Sequence, residues 1–198
     1  MVTVGVLALQ GDFAAHRHAL RRLGAGTVAV RKPADLSGAD ALVLPGGEST
    51  AMLRGIDRDR LEEPLAEFLR SGRPVLGTCA GAILLARRVL NPPQRSFGAL
   101  DIDVERNAYG TQLDSFAAPL DAAGPLAGTL GVFIRAPRIR RVGPSVAVLA
   151  RHGDDPVLVR DGPIWAATFH PELADDDRVL RTWLELPPWD ERATASPG

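Results

Sequence analysis

Pro74-Val75-Leu76-Gly77-Thr78-Cys79-Ala80-Gly81-Ala82-Ile83-Leu84-Leu85 reads as a short buried strand, a tight turn and then a helix, with the only cysteine of the chain in the turn. Gly77-Thr78-Cys79-Ala80-Gly81 has the G-x-nucleophile-x-G form of a nucleophile elbow, in which glycines let a strand turn sharply into a helix and leave the central side chain exposed and strained. At a helix N-terminus the unpaired N–H groups and the positive dipole end favour a thiolate and a developing oxyanion. Cys79 is then a nucleophile. The plainer alternative is a buried structural thiol, the more usual fate of a cysteine. The paired glycines and the strand-to-helix junction favour chemistry.

Upstream of the elbow, strands alternate with helices. Val2 to Leu9 is an almost unbroken apolar run, as in a central parallel strand buried on both faces. Gln10-Gly11-Asp12 breaks it, and Asp12 is placed to cap a helix from Phe13 to about Leu23. Phe13, His16, Leu20 and Leu23 share the packed face of that helix and Arg17, Arg21 and Arg22 turn outward, which assigns His16 a structural, hydrogen-bonded role. Thr27 to Arg31 and Asp40 to Leu44 are further strands, and a helix is expected from about Arg58 to Arg70. Right-handed βαβ crossovers and a mainly parallel sheet follow. Between the third strand and that helix stands Pro45-Gly46-Gly47-Glu48-Ser49-Thr50, at the C-terminal edge of a strand, where open α/β sheets bind ligands. Its glycines would let the backbone approach a substrate or turn an N–H towards an oxyanion; equally, it is a turn followed by a Ser49 helix cap.

Downstream, the pattern changes to short β segments. Gly98 to Arg106 reads as a strand, followed by the turn Asn107-Ala108-Tyr109-Gly110, which could present Arg106 and Tyr109 to a cleft. Arg135, ending Gly131-Val132-Phe133-Ile134 at Ala136-Pro137, offers a planar fork suited to a carboxylate, although a solvated surface charge is the ordinary alternative. Val146 to Ala150, Pro156 to Arg160 and Ile164 to Phe169 complete the β-rich part, with hairpin turns at Gly153-Asp154-Asp155 and Asp161-Gly162. The last strand runs into Thr168-Phe169-His170-Pro171-Glu172. Pro171 keeps the preceding residue extended, so His170 and Glu172 project to one side, and Glu172 can orient a histidine that takes a proton from a thiol. A plain surface loop is the alternative. Nucleophile, histidine, glutamate is not the chain order of α/β-hydrolases, which argues against that fold.

Composition limits the function further. The chain has 198 residues, enough for one domain with a sizeable core, with 45% hydrophobic residues and a net charge of -1, so neither disorder nor a broad attraction to nucleic acid or membrane is indicated. A single cysteine excludes an internal disulfide framework and fits a reducing compartment. No signal peptide, membrane-spanning run, internal repeat or metal-ligand cluster is visible, and a cytoplasmic location is expected.

With the elbow and His170-Pro171-Glu172 in place, the chain resembles the class I, triad-type glutamine amidotransferases. Leu9-Gln10-Gly11-Asp12, Pro45-Gly46-Gly47-Glu48-Ser49-Thr50, Arg106-Asn107-Ala108-Tyr109-Gly110 and Phe133-Ile134-Arg135-Ala136-Pro137 make it similar, more closely, to the glutaminase subunits of pyridoxal 5′-phosphate synthase, the PdxT/SNO family. The resemblance covers about Val4 to Leu186. It implies a three-layer α/β/α fold of flavodoxin-like, class I glutamine amidotransferase type, with a mixed, mainly parallel sheet flanked by helices. Residues 1–186 would be a single glutaminase domain and 187–198 a disordered tail.

The resemblance also implies roles. Cys79 would attack the side-chain amide of glutamine, with His170 moving protons and Glu172 orienting it, giving a thioester, then glutamate, with ammonia as the useful product. Backbone N–H groups of Gly47 and Ala80 would form the oxyanion hole. Gly47, Glu48, Ser49, Ile134 and Arg135 would line the glutamine site and Arg106 would help bind the substrate, with no cofactor and no metal. The partner would be a (β/α)8-barrel synthase subunit in a 12+12 complex, the isolated glutaminase being poorly active until docked. Thr111 stands where many relatives carry a basic residue, and Ala82 where a larger apolar one is common. Two rivals remain: a glutaminase for another ammonia acceptor, such as imidazole glycerol phosphate synthase, and a non-catalytic regulatory or binding subunit that kept the fold.

Overall fold

The computed structural model describes residues 1–106 and 115–185. The expectations placed on Asn107-Ala108-Tyr109-Gly110, on Thr111 and on the tail lie outside the described residues. The first half alternates as its apolar runs dictate: β1 (Thr3–Leu7), α1 (Phe13–Arg22), β2 (Gly26–Val30), β3 (Ala41–Leu44), α2 (Ser49–Arg58), α3 (Glu62–Arg70), β4 (Val75–Thr78) and α4 (Ala80–Leu85). Among the described residues nine strands follow, β5 (Ala86–Leu90), β6 (Leu100–Glu105), β7 (Ser115–Pro119), β8 (Asp121–Ala122), β9 (Leu130–Ile134), β10 (Arg138–Val142), β11 (Ala147–His152), β12 (Asp155–Asp161) and β13 (Ile164–Ala167), and the described chain closes with α5 (Arg178–Glu185).

The main sheet has the order β2-β1-β3-β4-β13-β12-β11-β8. From β2 to β13 the neighbours are parallel; β12, β11 and β8 join antiparallel. The expected hairpins connect β11 to β12 and β12 to β13, although Asp155 belongs to β12 rather than to the turn before it. Two smaller sheets, β10-β6-β5 and β7-β9, carry the rest.

Strict alternation along the central strands sends one set of side chains to each face. Leu42, Leu44, Val75, Ile164 and Ala166 pack with Met52, Ile56, Leu65 and Phe68 of α2 and α3 and with α4 and the β5–β6 ribbon. Ala41, Val43, Leu76, Trp165 and Ala167 pack on the opposite side with Ala19 and Leu20 of α1, Val179, Leu180 and Trp183 of α5, and Phe133 of β9. The result is the three-layer α/β/α arrangement with a mixed, mainly parallel sheet. Each fully buried Leu, Ile or Phe contributes about 1.5–3 kcal/mol to holding the layers together.

One boundary shifts in the first half. The helix expected from about Arg58 to Arg70 is α3, which starts later, at Glu62, because Arg60 takes a left-handed φ of 54° between the end of α2 and Leu61, which returns to the core. The Ser49-Met52-Leu53-Ile56 stripe of α2 was present in the sequence but hidden behind a Gly-Gly turn. Among the described residues no helix is long and apolar enough to cross a membrane.

The elbow helix sits on the end of β3 at backbone contact distance. A Cβ on Gly81 would lie 1.9 Å from the carbonyl oxygen of Leu44, whereas one on Gly38 would meet nothing within 4 Å. Gly81→Ala is therefore expected to destabilise the fold by about 3 kcal/mol, the upper end of overpacking costs, because the obstacle is backbone. Gly38→Ala is expected to stay within about 0.5 kcal/mol of wild type. Urea denaturation midpoints of the two variants check both values.

Candidate active site

Adjacent parallel strands bring the two sequence-distant motifs together. β4 pairs with β13 in the register Thr78↔Ala167, and the N–H of Cys79 donates to the carbonyl of Ala167 at 2.8 Å. Cys79 and His170 thus both leave the C-terminal edge of the sheet side by side. Cys79 takes φ 48° and ψ −103°, a region that costs an L-residue about 1–3 kcal/mol, before α4 begins at Ala80. The strain expected of an elbow is there. The expected exposure is not: Cys79 is only 6% accessible, its sulfur 4.0 Å from the carbonyl oxygen of Ile134.

His170 is fixed from several sides. Its N–H donates to Val132 of β9 at 2.8 Å, and its ring Nδ1 lies 2.8 Å from Glu172 Oε1. The pair is not extended, as Pro171 had suggested. Pro171–Leu173 is a short 3-10 turn, which folds Glu172 back under the imidazole while the proline fills a position that needs no N–H donor. Gly46 lies against the ring so closely that a Cβ there would come within 2.4 Å of Cε1. Burial works to lower the His170 pKa, but the hydrogen bonds to Cys79 and Glu172 and the attraction of those groups prevail and raise it to about 10. At neutral pH the imidazole is therefore a cation, with Nδ1 donating to Glu172 and Nε2 left for the sulfur.

Behind this pair, Glu172 has no solvent access to its side chain, and its second oxygen, Oε2, lies 3.2 Å from Nε2 of His16. Burial opposes the Glu172 charge; His16 and His170 outweigh it and hold the carboxyl below its usual range. Asp12 makes no side-chain cap to α1. Instead its Oδ2 stands 3.6 Å from His170 Nδ1. Asp12, His170 and Glu172 offer one ligand atom each within 4.8 Å of one another. His170 Nδ1 is already engaged by Glu172 Oε1 at 2.8 Å, which competes with any metal for that nitrogen.

Cys79 and His170 open into a cavity of about 320 Å³, within the range of small-ligand sites. Gly47, Glu48, Ser49, Arg106, Ile134 and Arg135, all expected from the sequence, line it. Ala80 does not; it is buried and opens α4 directly after Cys79. The helix cap is Glu48, not Ser49: its carboxylate accepts from the N–H groups of Thr50 at 3.1 Å and Ala51 at 2.6 Å. Arg106 is no free surface charge, since its Nη2 reaches Thr50 Oγ1 at 3.1 Å and Glu48 Oε1 at 3.4 Å. Arg135 has φ 44°, a second strained residue on the cavity wall.

Sequence reasoning did not assign Gln10, Asp12, Ile83 and Pro137 to the site, yet they line the same cavity. Gln10 Nε2 donates to the carbonyl of Glu48 at 3.0 Å, tying the loop after β1 to the loop after β3. The signal for Gln10 and Asp12 was available, because both follow the C-terminal end of a parallel strand. Ile83 carried no such signal.

The model of the SNO glutamine amidotransferase family matches residues 6–185. A pyridoxal 5′-phosphate synthase subunit PdxT of Deinococcus radiodurans is 53% identical over 190 residues, covering 93% of this chain and 97% of the relative. One of the same name from Koribacter versatilis is 52% identical over 183 residues, with 92% and 94% covered. A crystal structure described as a glutamine amidotransferase superposes with a TM-score of 0.86 at 48% identity, covering 92% of this chain and 97% of the other.

The strain at Cys79 is measurable. Glycine normally costs stability relative to alanine, but here alanine keeps a Cβ in the left-handed region and glycine does not. Cys79→Gly is expected to be more stable than Cys79→Ala by about 1 kcal/mol, the strain relieved less the entropy of the freer unfolded chain. Urea unfolding of the two variants side by side checks the sign.

Proposed function

Because the chain belongs to the SNO glutamine amidotransferase family, we propose that Cys79, His170 and Glu172 hydrolyse L-glutamine to L-glutamate and ammonia, and that the ammonia serves a pyridoxal 5′-phosphate synthase. The observation that carries this reading is the geometry at the sheet edge: Cys79 bonded to Ala167 at the end of β13, three residues before a His170 whose Nδ1 lies 2.8 Å from Glu172 Oε1. The thiolate attacks the side-chain amide carbon, and the oxygen takes up the negative charge facing the N–H groups of Gly47 and Ala80. His170 gives its proton to the departing nitrogen, so ammonia leaves and a thioester remains. The now neutral imidazole takes a proton from water, the hydroxide adds to the thioester, and the sulfur leaves with glutamate free.

Binding follows from the cavity wall. Arg106, held by Thr50 and Glu48, offers its guanidinium to the substrate carboxylate, and Gly47-Glu48-Ser49 and Ile134-Arg135 enclose the chain of the amino acid. No step calls for a cofactor or metal. Ammonia set free in neutral water becomes ammonium and loses its nucleophilic lone pair, which favours direct delivery to a docked synthase subunit of (β/α)8-barrel form in a 12+12 assembly. The working unit is one glutaminase domain of residues 1–186 in the cytoplasm, where a lone cysteine stays reduced.

Glutamate release is expected only with a synthase subunit present, and to vanish in Cys79→Ala; release that needs no partner, or none at all, would overturn the assignment. The pH profile has a defined sign. Turnover falls as pH rises through about 10, where His170 loses its proton. Glu172→Gln removes a charge that holds the proton on, so the alkaline limb moves to lower pH and kcat falls about 10²-fold or more. Steady-state kinetics across pH 6 to 11, roughly spanning both protonation states of the imidazole, measures both changes.

A further inference from the structure

His16 is fully buried on α1, 62 residues from Thr78 and much farther in sequence from Glu172, yet its Nε2 meets both: Thr78 Oγ1 at 2.9 Å and Glu172 Oε2 at 3.2 Å. Its other nitrogen, Nδ1, has no hydrogen-bond partner among the described residues. This asymmetry fixes the tautomer. A nitrogen facing a carboxylate oxygen must carry the proton, so Nε2 is the N–H and Nδ1 the lone pair. Protonating Nδ1 as well would bury an unpaired N–H, the costlier kind of orphan. Burial also lowers the His16 pKa more than the attraction of Glu172 raises it, with His170 adding to the decrease. His16 therefore stays neutral while His170, on the other side of the same carboxylate, is a cation.

We propose that His16 is a positioning residue for the reaction: its Nε2–H anchors Glu172 Oε2, so that Oε1 stays on His170 Nδ1 and the carboxylate remains charged without water. By hydrogen-bond geometry Oε2 has no partner among the described residues, and the 3.2 Å ion-pair contact with His16 Nε2 stands in place of one. The bond to Thr78, the residue before the nucleophile, ties the same imidazole to the elbow strand. The groups facing His16 are Thr78 from β4, Glu172 and His170 from the segment after β13, and Asp12 from the turn before α1.

The effect of His16 on turnover rests on the glutaminase reading above; its effect on the titration of His170 does not. The full chain, with labelled histidines, is titrated by NMR as wild type, His16→Leu, His16→Gln, His16→Asn, Glu172→Gln and the double variant His16→Leu/Glu172→Gln. Glutamine carries its amide nitrogen near the reach of Nε2, whereas asparagine stops near Nδ1. The His170 midpoint, about 10 in wild type, is expected to fall by about one unit in His16→Leu and His16→Asn and to recover in His16→Gln. In the Glu172→Gln background, His16→Leu is expected to add nothing. With the synthase subunit present, kcat should fall about tenfold in His16→Leu with the KM for glutamine unchanged. A His170 midpoint unmoved in His16→Leu, equal shifts in the glutamine and asparagine variants, or a full shift persisting without the Glu172 charge would each overturn the role. A wild type that releases no glutamate would sink the assigned reaction and leave the titration result standing.

Discussion

The parallel pairing of β13 with β4 is the constraint on which the site depends. Hydrogen bonds between the two strands set the register Thr78↔Ala167, and one bond more, from Cys79 to Ala167, carries the pairing into the elbow itself. A slip of one residue would turn Trp165 and Ala167 from one core to the other and carry His170 away from the sulfur. The same alternation that divides Leu42 and Val43 between the two faces of the sheet therefore fixes the separation of Cys79 and His170.

A buried carboxylate is the second governing fact. Removing Glu172 from water costs several kcal/mol unless its oxygens find partners; Oε1 has the hydrogen bond from His170, and Oε2, which has no hydrogen bond among the described residues, has the His16 imidazole at 3.2 Å. The two rings differ in charge because they differ in surroundings. His170 borders the sulfur and the cavity and is held as a cation; His16 lies deep under α1 and is held neutral. One carboxylate thus orients a proton donor on its open side and is itself oriented from its closed side.

Much of this was legible in the sequence where the signal was local. The elbow glycines, the apolar run of β1 and the hairpin turns are short-range statements, and the fold obeys them. The start of α2 was read one residue late, at a Ser49 cap, because the capping carboxylate belongs to Glu48, and its extent was not read because Gly46-Gly47 looks like a loop. The turn at Pro171 was read as extended because proline restricts the residue before it, while its own ring is equally at home in the first turn of a helix. His16 was correctly placed in the core as a structural histidine, but nothing in the spacing of α1 reveals a carboxylate more than 150 residues away. Gln10 and Asp12 entered the site through the sheet order, which periodicity does not determine.

Among the described residues, Cys79 is the one buried non-glycine residue with a positive φ, so there stability and the proposed chemistry ask for different residues. Its backbone conformation suits glycine, and its side chain is of use only while the sulfur reacts. Drift under selection for folding alone would therefore not hold a cysteine there. A lineage that came to take its ammonia from elsewhere would lose this side chain early and keep Gly81, whose close approach to Leu44 serves the fold whether or not the site is used. The two ends of the elbow thus age on different clocks: position 81 records ancestry, and position 79 records continuing use.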